Sequence, residues 1–250
     1  MACQRVIDTT QCEYIMFADA DDLLMPRAVE ILYRGMIKTG YDILRSSFIR
    51  ERRDAQDVLL DANSNVVTWR HGKIYRVSYL KRINLRYLPG LRTDEDAYFN
   101  ILAWNCTNSR GAINEATYIW RDNPHSITRS EEEQVYFKKT YFNYIYGQVE
   151  ALKKMATILD EMPQILITRT LINIYCFYMR ARFYKCDETI MDNSLSTLKN
   201  EKWMQDWFKV IQNWLDAINE LKCGVFLDEK FVVFYEETFY HWCIRLMKGA

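Results

Sequence analysis

What this chain lacks narrows it first. Its 250 residues carry no net charge, with 33 Lys and Arg against 33 Asp and Glu, so no overall field draws it to nucleic acid or anionic lipid. None of the seven cysteines (Cys3, Cys12, Cys106, Cys176, Cys186, Cys223, Cys243) belongs to a C-x-x-C pair. An odd, scattered set argues against a disulfide framework and a zinc site, and fits small core residues in a reducing cytosol. No basic stretch followed by an apolar one opens the chain, and the most apolar later segment, 165–184, is interrupted by Arg169, Arg180 and Arg182. These absences predict a soluble, cytoplasmic protein that is not transmembrane. There is no internal repeat, low-complexity tract or Gly/Ser linker. What is present is 49% apolar and 14% aromatic residues, enough for one large core or two small ones.

Periodicity divides the chain near residue 130. Before it, short strand-like runs (14–18, 42–49, 66–69, 118–120) alternate with helical ones (26–38, 93–104), and residues 79–82 read as a turn of helix. Pro26 suits a first helical turn, and Thr93 is placed to cap the helix that Glu95 and Asp96 open. After residue 130 the spacing turns helical throughout. Ser130 and Glu133 form a capping box, Pro163 can begin a second helix, Trp203, Trp207, Trp214, Ile218 and Leu221 mark a third closed by Gly224, and 231–246 a fourth. The expected organisation is an α/β region over 1–130 and an all-helical region over 131–250.

The stretch YIMFADADDLLMP sets Asp19, Asp21 and Asp22 directly after an apolar run. An EF-hand loop is excluded, because its sixth position needs glycine and holds Leu24. A phosphatase of the haloacid dehalogenase type also places an aspartate two residues before another, but Leu23 stands where that motif usually has Thr or Val. A third use is an Asp-x-Asp that holds a divalent ion against a nucleoside diphosphate, since an extended segment points alternate carboxylates the same way. The bland alternative is a solvated loop leading into a helix.

Three further phrases weigh on that choice. WRHGKIYRVSYLKRINLRY, LRTDEDAYFNILAW and YIWRDNPHSITRS follow the acidic loop in the same order as their counterparts in the family 2 glycosyltransferases of the GT-A fold. Together the four phrases resemble that family over 13–130, including its bacterial and phage members. The resemblance implies a partial GT-A, Rossmann-like nucleotide-sugar-binding sheet. It also implies transfer of a sugar, with inversion, from a nucleotide-diphosphate donor such as a UDP-sugar to a carbohydrate or other acceptor hydroxyl.

Carried over residue by residue, the resemblance makes Asp21 a ligand to Mn²⁺ or Mg²⁺. Asp19 is placed near the ribose or the metal, and Asp22 as support for the loop or the ion. Asp96, behind Glu95, would be the general base, although acids in a first helical turn need no catalytic reason. His125 could ligate metal or phosphate, Ser126 falls in the same closing loop, and Arg121 or Arg129 could clamp phosphate. Gly72 would let backbone approach the donor beside His71, and Lys73 would contact phosphate or simply be solvated. His241 reads as packed or surface, and the tryptophans as core rather than sugar platforms.

In the family, about two βαβ units precede the acidic loop, which here begins at residue 19. The expectation is an amino-terminally shortened member whose parallel sheet has open edges, completed by another chain, by self-association as a homo-oligomer, or by an altered fold. An inactive relative serving as an interaction protein is the alternative to the enzyme.

Overall fold

A computed structural model describes residues 2–53, 58–63, 67–91, 93–123, 133–211, 224–228, 231–234 and 237–248. They form two compact units, Met1–Gly90 with Glu95–Ser130, and Leu91–Asp94 with Glu131–Ala250.

The first unit runs α1 (Ala2–Thr9), β1 (Tyr14–Met16), β2 (Leu23–Leu24), α2 (Ala28–Thr39), β3 (Ile43–Arg53), β4 (Val58–Asn63), β5 (Lys73–Arg76), α3 (Val77–Arg82), α4 (Glu95–Asn105) and β6 (Arg110–Trp120). Its six-stranded sheet has the order β1-β5-β3-β6-β2, with β4 paired to β3. The sheet is mixed rather than parallel: only β3–β6 is parallel, and β1–β5, β3–β5, β3–β4 and β2–β6 are antiparallel. The expected strand at 66–69 is not formed, since residues 67–69 bend and Val66 lies outside the described residues.

Alternation along β5 assigns the two faces of this sheet. Ile74 packs with Leu32 and Met36 of α2 and with Leu44. Tyr75 turns the other way, meeting Phe99 of α4 at 5.7 Å and donating to Asn100 Oδ1 at 2.5 Å. Helix α2 stops at Gly40, whose φ of 67° lets its N–H return to the Met36 carbonyl. The β3–β6 ladder slips around Ser47. There Ser46 N–H donates to the Gly72 carbonyl at 2.8 Å, and the Ser46 hydroxyl meets Thr117 Oγ1 at 2.5 Å. This irregularity sits beside the segment that carries Arg70 to Lys73, as bulges next to functional loops commonly do.

The second unit contains α5 (Glu133–Ala156), α6 (Gln164–Phe183), α7 (Glu188–Ser196), α8 (Lys202–Ile211), β7 (Gly224–Asp228), β8 (Phe231–Phe234) and α9 (Phe239–Lys248). Its core joins Ile145, Val149 and Leu152 of α5 to Leu171, Ile174 and Tyr178 of α6 and to Trp207 and Trp242, all buried. Gly224 opens a strand instead of closing a helix, and β7–β8 form a two-stranded antiparallel ribbon, so the region is helical with one ribbon rather than all-helical. The apolar run Phe231–Phe234 is rich in β-branched residues, and four residues are too few for periodicity to separate strand from helix. Thr93 does not show the expected cap, and its hydroxyl accepts from Asn143 Nδ2 at 2.9 Å. Ser130, Trp214, Ile218 and Leu221 lie outside the described residues. Six cysteines are free, and Cys223 is outside the described residues. Among the described residues no helix is long and apolar enough to cross a membrane.

Candidate active site

The acidic loop leaves β1 and turns at once. Asp22 N–H donates to the Asp19 carbonyl at 3.1 Å, closing a turn over Ala20 and Asp21. A turn brings residues i and i+3 together, where an extended strand would align i and i+2. The extended Asp-x-Asp arrangement expected from the sequence is therefore not what forms. Ligand atoms of Asp19, Asp22 and His71 all lie within 4.8 Å of one another. Asp21 is exposed and accepts from Asn123 Nδ2 at 2.8 Å.

Asp22 is the staple of the loop. Its carboxylate accepts from the Tyr118 hydroxyl at 2.7 Å and from the Arg121 N–H at 2.9 Å. The same hydroxyl accepts from the Asp19 N–H at 3.1 Å, so one oxygen on β6 fixes both ends of the turn. Burial raises the Asp22 pKa, Asp19 and Asp21 add to the rise, and its two hydrogen bonds oppose it.

His71 closes the cluster from the segment before β5. Its ring stacks on Tyr118 with centroids 4.8 Å apart and packs against Phe48 and Trp120. Burial, with the positive charges of Lys73 and Arg70, pushes its pKa down to about 3, so the imidazole is neutral. Its Nε2 lies 3.9 Å from Asp22 Oδ2, a contact without an ion pair, and its Nδ1 is buried with no hydrogen-bond partner. A neutral imidazole beside two carboxylates has the protonation that divalent-ion binding requires.

Across from the loop stands the first turn of α4. Asp96 Oδ1 accepts from Ala97 N–H at 2.8 Å, and Asn100 Nδ2 donates to the Asp96 carbonyl at 2.7 Å and to the Thr68 carbonyl at 3.1 Å. Asn100 thereby ties α4 to the chain that leads into His71. Arg70 spans the two sides, with Nη2 at 3.1 Å from Asp19 and 3.7 Å from Glu95.

Lys73 is not solvated. It is 2% exposed on the β5 face that Tyr75 shares. Burial lowers its pKa to about 7, the Asp96 charge opposing and Arg45 assisting.

Asp21, Asp22, Leu23, Arg121 and Asn123 line an open cavity of about 400 Å³. Arg121 also pairs with Glu51 through Nε at 3.3 Å. The structure thus gathers Asp19, Asp22, Arg121 and Asp21 around one loop, and Glu95, Asp96 and Lys73 across from it. His125, Ser126 and Arg129 lie outside the described residues.

Sequence reasoning missed His71 as a candidate ligand, Arg70 as the link and Tyr118 as the anchor. The only signal for the first two was their place in the phrase WRHGKIYR, and nothing local marked Tyr118.

No protein-family model matches the sequence. The uncharacterized glycosyltransferase EpsJ of Bacillus subtilis (strain 168) is 25% identical over 188 residues, 61% of this chain and 54% of that protein. The chain thus spans about half the length of this curated relative. Among solved structures, S. aureus TarS 1–349 in complex with UDP superposes with a TM-score of 0.56 at 13% identity, over 94% of this chain and 76% of that one. TarS 1–349 in complex with UDP-GlcNAc gives 0.50 at 12% identity, over 94% and 78%. The fold is therefore that of a GT-A-like glycosyltransferase, in part, as the ordered phrases of the sequence implied.

Proposed function

We propose that this chain carries the donor and catalytic site of a metal-dependent inverting glycosyltransferase that uses a nucleotide-diphosphate sugar. One observation carries the reading: Asp19, Asp22 and a neutral, buried His71 converge at the end of a GT-A-like strand, and Arg70 ties that point to the helix of Asp96. A mixed oxygen and nitrogen set suits Mn²⁺, and Mg²⁺ through its oxygens. Such an ion, when bound, would neutralise charge building on the departing diphosphate.

The chain's own residues supply the rest. Asp21 and Arg121 share the cavity beside the cluster, where Arg121 offers its guanidinium to phosphate oxygens. Asp96 accepts the proton of the acceptor hydroxyl. The acceptor oxygen bonds to the anomeric carbon as the bond from that carbon to the diphosphate oxygen breaks, and configuration inverts. A UDP-sugar is the donor of choice because the TarS structures of the same fold hold UDP and UDP-GlcNAc.

Calorimetric titration with UDP and Mn²⁺ tests the reading. Saturable binding that disappears without metal and in Asp19→Asn is expected. Folded protein that binds none of UDP, GDP, CDP or dTDP would overturn it. That result would favour an interaction role, for which Val29, Tyr33 and Ile37, 59%, 49% and 57% exposed along one face of α2, are the supporting observation.

A further inference from the structure

We propose that Arg70 is a resident counter-cation of the acidic loop, released when a divalent ion takes Asp19, and that it acts as a positioning residue linking occupancy of that carboxylate to the helix bearing Asp96. The inference rests on the metal-dependent reading above. Arg70 is 18% exposed, and its Nη2 is shared between Asp19 at 3.1 Å and Glu95 at 3.7 Å. Its Nη1 lies 3.8 Å from the Cys3 sulfur, Tyr87 lies beside the guanidinium, and its Nε is buried with no hydrogen-bond partner.

A guanidinium built as a permanent structural clasp uses its planar fork, two parallel N–H groups on one carboxylate. Here a single nitrogen divides itself between two carboxylates and a buried donor is left unpaired. The closer of its two carboxylate contacts falls on Asp19, a member of the Asp19, Asp22 and His71 cluster. Arg70 is thus a positive charge in direct contact with a carboxylate of the cluster. A divalent ion among these three residues would stand a few ångströms from the guanidinium, and the two positive charges would compete for Asp19. With Asp19 committed to the ion, Arg70 keeps Glu95, on the first turn of α4, and moves with it. Occupancy of the donor side is thereby transmitted to the acceptor side by one side chain.

The test is a calorimetric titration of the full chain with Mn²⁺ alone, comparing the wild type with Arg70→Gln and with Arg76→Gln. Arg76 pairs with Glu13 at 2.8 Å, away from the cluster, and serves as the control. Removing a unit charge in contact with a ligand tightens ion binding by about tenfold. Arg70→Gln should show that gain and Arg76→Gln should stay within about twofold of wild type. An Arg70→Gln affinity equal to or weaker than wild type, with wild type binding the ion, would overturn the inference while leaving the metal-dependent reading intact. Where the wild type takes Mn²⁺ only with the nucleotide, the same comparison in UDP decides, and a wild type that binds no Mn²⁺ in either case would remove both. If Arg70→Gln does not fold, the ¹⁵Nε resonance of Arg70 in the wild type, followed during Mg²⁺ titration, decides. It should shift in step with ion binding, and a resonance that stays fixed as the ion saturates would refute release.

Discussion

Tyr118→Phe isolates the hydroxyl that pins the acidic loop. The ring is 1% exposed and stacks on His71, and phenylalanine keeps that packing, so little cavity cost arises. Two bonds are lost: the donation to Asp22 at 2.7 Å, which is charge-assisted, and the acceptance from Asp19 N–H at 3.1 Å. A hydrogen bond to a buried charged group contributes about 1.5–3 kcal/mol and a neutral one about 1 kcal/mol. The Asp22 side chain is 3% exposed, so little water reaches it to compensate, and only Arg121 N–H remains on its carboxylate among the bonds described above. The expected loss is about 2–4 kcal/mol. Urea denaturation at neutral pH in EDTA should show it as a lower midpoint at unchanged slope. Because the two partners act on one bond, the Tyr118→Phe and Asp22→Asn double-mutant cycle should give a coupling of about 1 kcal/mol or more. A loss below about 0.5 kcal/mol, or strict additivity, would refute the view that this hydroxyl organises the loop.

Further consequences follow from the same residues. Lys73 has a folded pKa near 7 against an ordinary 10.5, so between those values the unfolded chain binds the proton that the folded chain has lost. Metal-free stability should therefore rise with pH through that window, by up to about 1.4 kcal/mol per unit, and the slope should vanish in Lys73→Met; parallel curves for the two proteins would contradict the burial argument. Gly72 has a φ of 61°, and a Cβ there would collide with the Ser46 hydroxyl, whereas Gly40, at 67°, has open space around it. Gly72→Ala should cost about 2–4 kcal/mol and Gly40→Ala about 1 kcal/mol in thermal or urea unfolding; equal losses would mean that the close approach at Gly72 is relaxed without cost. Asp96→Asn keeps an oxygen for the Ala97 N–H but removes the charge that supports buried Lys73, so a loss of about 1 kcal/mol in unfolding is expected while any measured sugar transfer falls by about a hundredfold or more. Retained transfer would assign the base elsewhere.

The sequence alone placed much of the molecule, because the signals involved are local. The carboxylates after the Tyr14–Met16 strand, the paired acids opening α4 and the start of α6 after Pro163 each follow from a short window of residues. Order along the chain was enough to imply a GT-A-like sheet. The tertiary structure decided what those residues do. Asp19 and Asp22 meet because the loop turns, and the turn holds because Tyr118, about a hundred positions later, arrives through the β2–β6 pairing. His71 and Arg70 reach the loop because β1 and β5 pair antiparallel, with Met16 opposite Ile74. Lys73, a solvated residue by composition, is buried because alternation on β5 sets it on the same face as Tyr75, toward α4. Sheet register joins residues that no window of sequence holds together, so the windows supplied the carboxylates and register supplied their partners.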